Sequence, residues 1–222
     1  MTQTTISETL FESLCSLRGV RFERIPVAAH PTPDYEIALG VHKLLVEVKQ
    51  LDQNATDKRV NKSFDTAGET DGVVSPAARL REQIARAYRQ LKMAATQGQP
   101  CLLVIYNNSG FLNFIDSFTV TTAMFGRYGV RFGLSRIGEI RETGRGFTGK
   151  APLTRNTCKS LSAIGILKHA QSGNLRLEVY HNPFALVPIE PRAMALLATE
   201  QFRHPSPHAG ISVDWEPSQI GA

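Results

Sequence analysis

Two carboxylates and one ammonium stand in the order Pro33-Asp34, twelve further residues, then Glu47-Val48-Lys49. Carboxylates that converge on one point repel each other. The pair becomes tolerable when a divalent cation bridges it, since hard cations such as Mg²⁺ take oxygen ligands, or when a cation such as Lys49 on the same face partly offsets it. The chemistry these residues suggest is therefore a divalent-cation site. The plain alternative is an exposed face on which two acids and a lysine are solvated.

Which reading holds depends on the elements that carry the three groups. From Tyr35 to Leu39 the residues alternate: Tyr35, Ile37 and Leu39 are apolar, while Asp34, Glu36 and Ala38 point the other way, the period-two pattern of a half-buried strand. A second strand follows, with Leu44, Val46 and Val48 on one face and Leu45, Glu47, Lys49 and Leu51 on the other. A two-residue turn at Gly40-Val41, with Gly first as type II′ prefers, sets Leu39 opposite His42. Counting back along the ladder then sets Asp34 opposite Glu47. Side chains directly opposite in an antiparallel pair lie roughly 5 Å apart at Cβ, so the two acids meet on one face.

Pro33-Asp34 and Glu47-Val48-Lys49 resemble the signature of the PD-(D/E)XK nucleases, the restriction-endonuclease-like superfamily. The resemblance implies an α/β fold: an αβββαβ core, a mixed central sheet flanked by helices, with a C-terminal strand pair and helix added. It also implies Mg²⁺-dependent phosphodiester hydrolysis, with Mn²⁺ able to substitute, on DNA in preference to RNA. Carried over residue by residue, Asp34 and Glu47 would bind the metal by carboxylate and Val48 by its backbone carbonyl. Lys49 would orient or activate the attacking water. Many relatives place an acid of the first helix near the metal, and the candidates here are Glu8 and Glu12. Relatives of the RecB branch carry a Gln and a Tyr on the second core helix, and Gln83 with Tyr88 resembles that pair at a spacing one residue longer.

Composition narrows the field without deciding it. At 222 residues the chain suits one domain with insertions, and a second independent core would be cramped. Lys plus Arg exceeds Asp plus Glu by 25 − 20 = +5, an excess that suits a polyanionic partner. Cys15, Cys101 and Cys158 are odd in number and widely spaced, which indicates neither a disulfide framework nor a zinc site and fits a reducing cytoplasm. No basic segment with an apolar run opens the sequence and no stretch approaches membrane-spanning length, so the expectation is a cytoplasmic protein with no membrane partner.

In chain order, Thr5-Ile6-Ser7-Glu8 reads as a capping box opening a helix with the stripe Leu10, Phe11, Leu14 and Leu17, closed by Gly19. On that wheel Glu12 lies nearly opposite the stripe. Val20 to Val27 reads as the first strand. Asp52 to Pro76 is polar and reads as a long loop in which Lys58, Arg59 and Lys62 could clamp a phosphate backbone. Pro76 opens an amphipathic helix to about Thr96, and Cys101 to Tyr106 is a buried central strand. The core thus runs over about 5–110. A helix near Ile115 to Phe125 is followed by a basic, glycine-rich excursion over 126–150, where Arg127, Arg131 and Arg145 interleave with Tyr128, Phe132 and Phe147. Guanidinium groups, aromatic rings and glycines together suit nucleic acid. Added strands and a helix follow over about 158–201, and 204–222 reads as a mobile tail in which Trp215 is docked or faces a partner.

Three functional readings follow. The first is a metal-dependent nuclease, with a homodimer as the arrangement that cuts both strands of a duplex. The second is a non-cleaving nucleic-acid-binding or assembly module on the same fold, against which the intact acid, acid and lysine set argues. The third is a P-loop phosphohydrolase at Gly144 to Lys150, but Ala151 replaces the required Ser/Thr and Pro152 disrupts the helix that should follow.

Overall fold

The computed structural model describes residues 4–28, 31–67, 75–109, 114–135, 138–169, 173–204 and 215–218. It is an α/β structure built on a mixed sheet. Helix α1 (Ile6–Leu17) begins at the expected capping box: the Glu8 carboxylate accepts from Thr5 N–H at 2.6 Å and the Thr5 hydroxyl accepts from Glu8 N–H at 3.3 Å. Strands β1 (Arg21–Arg24), β2 (Tyr35–Leu39) and β3 (His42–Leu51) form an antiparallel meander. The turn is the two-residue one: Leu39 pairs with His42, and Gly40 takes φ +63°.

The chain from Asp52 to Pro76, read as a loop, instead contains helix α2 (Ala55–Ala67). Its start is fixed by a reciprocal pair in which Asn54 N–H donates to Asp57 and Asp57 N–H donates to Asn54, each at 2.9 Å. The buried Asp57 carboxylate also takes the Arg79 guanidinium at 2.7 Å, tying α2 to α3 (Pro76–Thr96). Polarity hid this helix because it buries so little, Val60 and Asp57 being its buried positions.

Strand β4 (Cys101–Asn107) returns parallel to β3. After α4 (Ser117–Phe125) the chain forms a separate ribbon, β5 (Arg127–Leu134) with β6 (Ile140–Thr148). Here lies the P-loop look-alike, and Gly144 to Thr148 is strand, not a phosphate loop leading into a helix. Strands β7 (Ala163–His169), β8 (Leu175–His181), β9 (Glu200–Arg203) and β10 (Glu216–Pro217) complete an eight-stranded sheet in the order β1-β2-β3-β4-β7-β8-β9-β10. The added helix expected within about 158–201 is a single turn, α5 (Pro191–Met194), because the next residues turn into β9 beside β8. Within the region read as a mobile tail, Trp215–Ser218 is docked: the Trp215 indole donates to Thr121 Oγ1 at 2.6 Å and β10 pairs with β9. The rest of that tail beyond His204 lies outside the described residues.

The sheet has a core on each side. On one, Phe11, Leu14 and Cys15 of α1 pack on Tyr35, Ile37, Val46, Val48 and Val104. On the other, Leu80, Ile84 and Leu91 of α3 and Val120 and Met124 of α4 pack on Leu45, Leu51, Leu103 and Ile105. Glu47 and Lys49 share the face of Leu45 and Leu51 and so point toward α3. No helix among the described residues is long and apolar enough to cross a membrane.

Candidate active site

The β2–β3 ladder ends at Tyr35–Val46, one residue short of the expected Asp34–Glu47 pair, because the chain bends at Asp34. Asp34 N–H donates to Val46 O at 3.0 Å, and Asp34 O accepts from Ile25 N–H at 2.9 Å. Its carboxylate takes the Val48 N–H at 2.8 Å. Continued by two pairs, the ladder would set Val48 opposite Pro33, which has no N–H to donate. With the ladder ended at Tyr35–Val46, the Asp34 side chain is the acceptor for the Val48 N–H. The Val48 carbonyl leaves the strand on the same side as that N–H.

Glu47 is completely buried. Lys49 Nζ donates to its Oε1, and its Oε2 has no hydrogen-bond partner. Burial first, and the neighbouring Asp34 charge second, push the Glu47 carboxyl up to about 7, against the opposing pull of Lys49 and of hydrogen bonding from the Gln90 side chain. Asp34 is also raised, chiefly by burial. The Val48 N–H and Lys49 work against that shift, and the Glu8 charge adds to it. The site thus holds two carboxyls that both resist ionisation, one carrying a buried oxygen with no donor. A cation placed between them would reverse both shifts.

A cavity of about 500 Å³ opens onto this point, lined by Pro31, Lys49, Gln83, Arg86, Arg89 and Gln90. The four α3 residues fall on adjacent turns, so one helix face presents two amides and two guanidinium groups to the Lys49 side of the strand. Arg86 and Arg89 are exposed and form no ion pair among the described residues. With Lys49, they make the cavity wall cationic.

The structure brings together Asp34, Glu47, Val48 and Lys49, with Gln83 on the cavity wall. The candidate metal ligand Glu12 is held elsewhere, accepting from Arg24 Nε at 2.6 Å and from the Tyr35 hydroxyl at 2.9 Å. Its placement on the wheel also changes. The buried face of α1 is Ser7, Phe11, Leu14 and Cys15, whereas Leu17 is exposed, so Glu12 flanks the buried stripe and reaches the β1–β2 edge. Glu8 is the α1 acid whose charge reaches Asp34. Tyr88 is half-buried and packs against the core under α3. Gln90, Arg86 and Arg89 were not singled out as site residues from sequence. The signal for them was the seven-residue recurrence of Gln83 and Gln90 on one helix face.

The predicted nucleic-acid contacts lie outside the cavity. Lys58, Arg59 and Lys62 are exposed on α2, and Arg127, Arg131 and Arg145 are on the β5–β6 ribbon. Compared with protein-family models, curated proteins and solved structures, the chain finds no match.

No group of three or more His, Cys, Asp or Glu side chains gathers to hold a metal among the described residues. A cage of that kind is not what Mg²⁺ needs, because it usually keeps several waters and is held by one or two carboxylates plus substrate phosphate. Two carboxyls, one with a buried oxygen that has no hydrogen-bond partner, fit that demand.

Proposed function

We propose that the protein is a metal-dependent nuclease of the PD-(D/E)XK kind, hydrolysing phosphodiester bonds in DNA in preference to RNA. The observation that carries the reading is the buried Glu47 carboxyl beside Asp34, with Oε2 lacking a hydrogen-bond partner and Oε1 bonded to Lys49, which lines a cavity together with Arg86 and Arg89. The run α1-β1-β2-β3, then α3 and β4 with α2 inserted, supports the αβββαβ core that such a nuclease would need.

In this reading Asp34, Glu47 and the Val48 carbonyl hold Mg²⁺ or Mn²⁺. When bound, the ion polarises the phosphoryl oxygen and lowers the pKa of a bound water. Lys49, fixed by its bond to Glu47, presents its ammonium at the cavity wall where the nucleophile would stand. Arg86 and Arg89 offset the charge of the scissile and neighbouring phosphates. Gln83 and Gln90 donate amide hydrogens that orient them. Water forms the new P–O bond, the bond to the leaving sugar oxygen breaks, and that oxygen takes up a proton.

The test is cleavage of single-stranded, duplex and branched DNA and of RNA, with Mg²⁺ or Mn²⁺ and with EDTA. Asp34→Ala, Glu47→Ala and Lys49→Ala are each expected to lower the rate by at least about a hundredfold while circular dichroism stays that of the wild type. Undiminished cleavage in all three would sink the proposal. Absence of cleavage in the wild type, with nucleic acid still bound, would favour a non-cleaving binding or assembly module. Calorimetric titration of Mg²⁺ into wild type and Asp34→Asn separates the two further, since a binding module needs no carboxylate-dependent metal site.

A further inference from the structure

Strand alternation gives the β5–β6 ribbon two unlike faces. At the base of one, Tyr128 stands opposite Phe147 with ring centroids 5.4 Å apart, and Phe147 packs in turn on Phe125 of α4 at 5.5 Å. Toward the tip the same face carries Val130 opposite Arg145, Phe132 opposite Glu142 and Leu134 opposite Ile140. Here the cover ends: Phe132 is 66 % exposed, Leu134 74 %, Ile140 73 % and Val130 40 %. An apolar stripe that starts as core thus runs out into solvent. The opposite face bears Arg127, Arg131 and Arg141 among glycines.

A two-stranded ribbon standing alone is marginal in water, so such a face calls for a cover. Its four apolar side chains expose on the order of 400 Å², the size of patch that marks an interaction site. The charges around them select what the cover is. On the stripe's own face Arg145 is held by Glu142, with Nε and Nη2 at 2.7 and 2.9 Å from the carboxylate oxygens, so that face carries no net charge and offers a polyanion no unpaired cation. A bilayer is also a poor fit. Ile140 at the tip is flanked by Glu139 and Arg141, an ion pair at 2.6 Å, and Glu142 stands directly opposite Phe132, so immersing the stripe in lipid would take charged groups down with it. A protein surface of the same make-up meets neither difficulty, because it sets apolar on apolar and leaves both ion pairs at the rim in water. Two such patches with their rims reach about 1,000 Å², the low end of the range for a specific interface.

We propose that the tip of the β5–β6 ribbon is a dimer interface, in which the face of Phe132, Leu134 and Ile140 takes the same face of a second copy of this chain. The two ribbons cross on a two-fold axis that passes over Phe132, so that each Phe132 meets its own counterpart. An interface of this size gives association in the micromolar range. The cationic faces of both ribbons remain turned outward. The inference concerns association and stands whether or not the chain cleaves.

The experiment is sedimentation velocity of the full chain in EDTA over about 1–100 µM, with folding checked by circular dichroism. The wild type is expected to pass from monomer to dimer within that range. Phe132→Glu and Phe132→Lys each set like charges against one another on the axis and should weaken association at least about tenfold, and an equal mixture of the two should recover it by restoring an opposite pair. That recovery separates a lost interface from a disturbed fold. Arg131→Gln, on the opposite face, should leave association unchanged. A wild type that stays monomeric at about 100 µM, charge variants that associate as the wild type does, a mixture no better than either variant alone, or loss of the dimer in Arg131→Gln overturns the proposal. A monomer that floats with anionic phospholipid vesicles would overturn it in favour of a bilayer. Metal-dependent cleavage by a monomer would refute the interface and leave the nuclease reading standing.

Discussion

Glu47→Gln should make the metal-free protein more stable above neutral pH, an unusual outcome for removing a residue at the centre of a site. The Glu47 carboxyl is fully buried and pushed from its ordinary 4.5 up to about 7, first by burial and then by Asp34. The folded state therefore holds a proton that the unfolded chain releases near 4.5. Over the interval from 4.5 to 7 the native state binds more protons than the unfolded state, so stability falls as pH rises and levels off above about 7. The loss is roughly 3 kcal/mol, about three-hundredfold in the unfolding constant, and below 4.5 it vanishes. Glutamine has no proton to lose and should show no such fall, apart from the smaller slope in the same direction left by the raised Asp34. Urea denaturation in EDTA from about pH 5 to pH 8 measures both curves. Mg²⁺ should recover the wild type above pH 7 by about 2.7 kcal/mol at a hundred times its dissociation constant, and should do much less for the variant. Parallel curves for the two proteins, with no recovery in Mg²⁺, would show that Glu47 carries no buried-charge penalty and that no cation relieves it.

Two further outcomes test the frame that holds the site. Arg79→Ala leaves the buried Asp57 carboxylate without its cation and should cost about 3–5 kcal/mol by urea denaturation, with part returning in Arg79→Ala/Asp57→Asn, where no charge remains to strand. A full loss in the double variant would assign the effect to packing. Gly126→Ala would set a Cβ 2.4 Å from Thr148 O at a φ of +91°, whereas Gly165→Ala meets the movable Leu177 Cδ1 at 3.0 Å. Thermal denaturation should therefore rank Gly126→Ala as the more damaging by at least about 1–2 kcal/mol, and the reverse order would contradict the close approach of β6 to the end of α4.

What could be read from sequence was what short-range periodicity controls. Alternation from Tyr35 to Leu39 and the Gly40-Val41 turn specify the hairpin register, and with it the face shared by Glu47 and Lys49. The bend at Asp34 was not legible: its N–H turns to Val46 O and its carboxylate takes the Val48 N–H, a side-chain contact that strand alternation does not encode. Helix α2 was missed because an apolar stripe was sought in a segment stabilised by Asn54, Asp57 and Arg79, a polar lock whose Asn-x-x-Asp start is a capping signal in its own right.

The harder limit concerns α3. Gln83, Arg86 and Gln90 lie on one helical face, so any wheel that buries Leu80, Ile84 and Leu91 turns all three toward the same side of the sheet. Periodicity settles rotation about the helix axis and is silent on translation along it. Which turn meets Glu47 depends on how far the helix runs before Gly98 and Pro100 return the chain to β4, and on which leucine settles over Leu103. One helical turn is about 5.4 Å, more than the reach of a hydrogen bond, so the choice between Gln83 and Gln90 as the amide nearest the acid is made by packing. Gln90 bears on Glu47 while Gln83 lines the cavity, and the two guanidinium groups between and beside them supply the cationic wall. A helix that presents the sequence Gln, Arg, Arg, Gln along one groove can grip successive phosphates of a strand whose scissile bond lies over Lys49. Under the proposed nuclease reading, α3 would thereby hold substrate, a role that its leucines alone would never suggest.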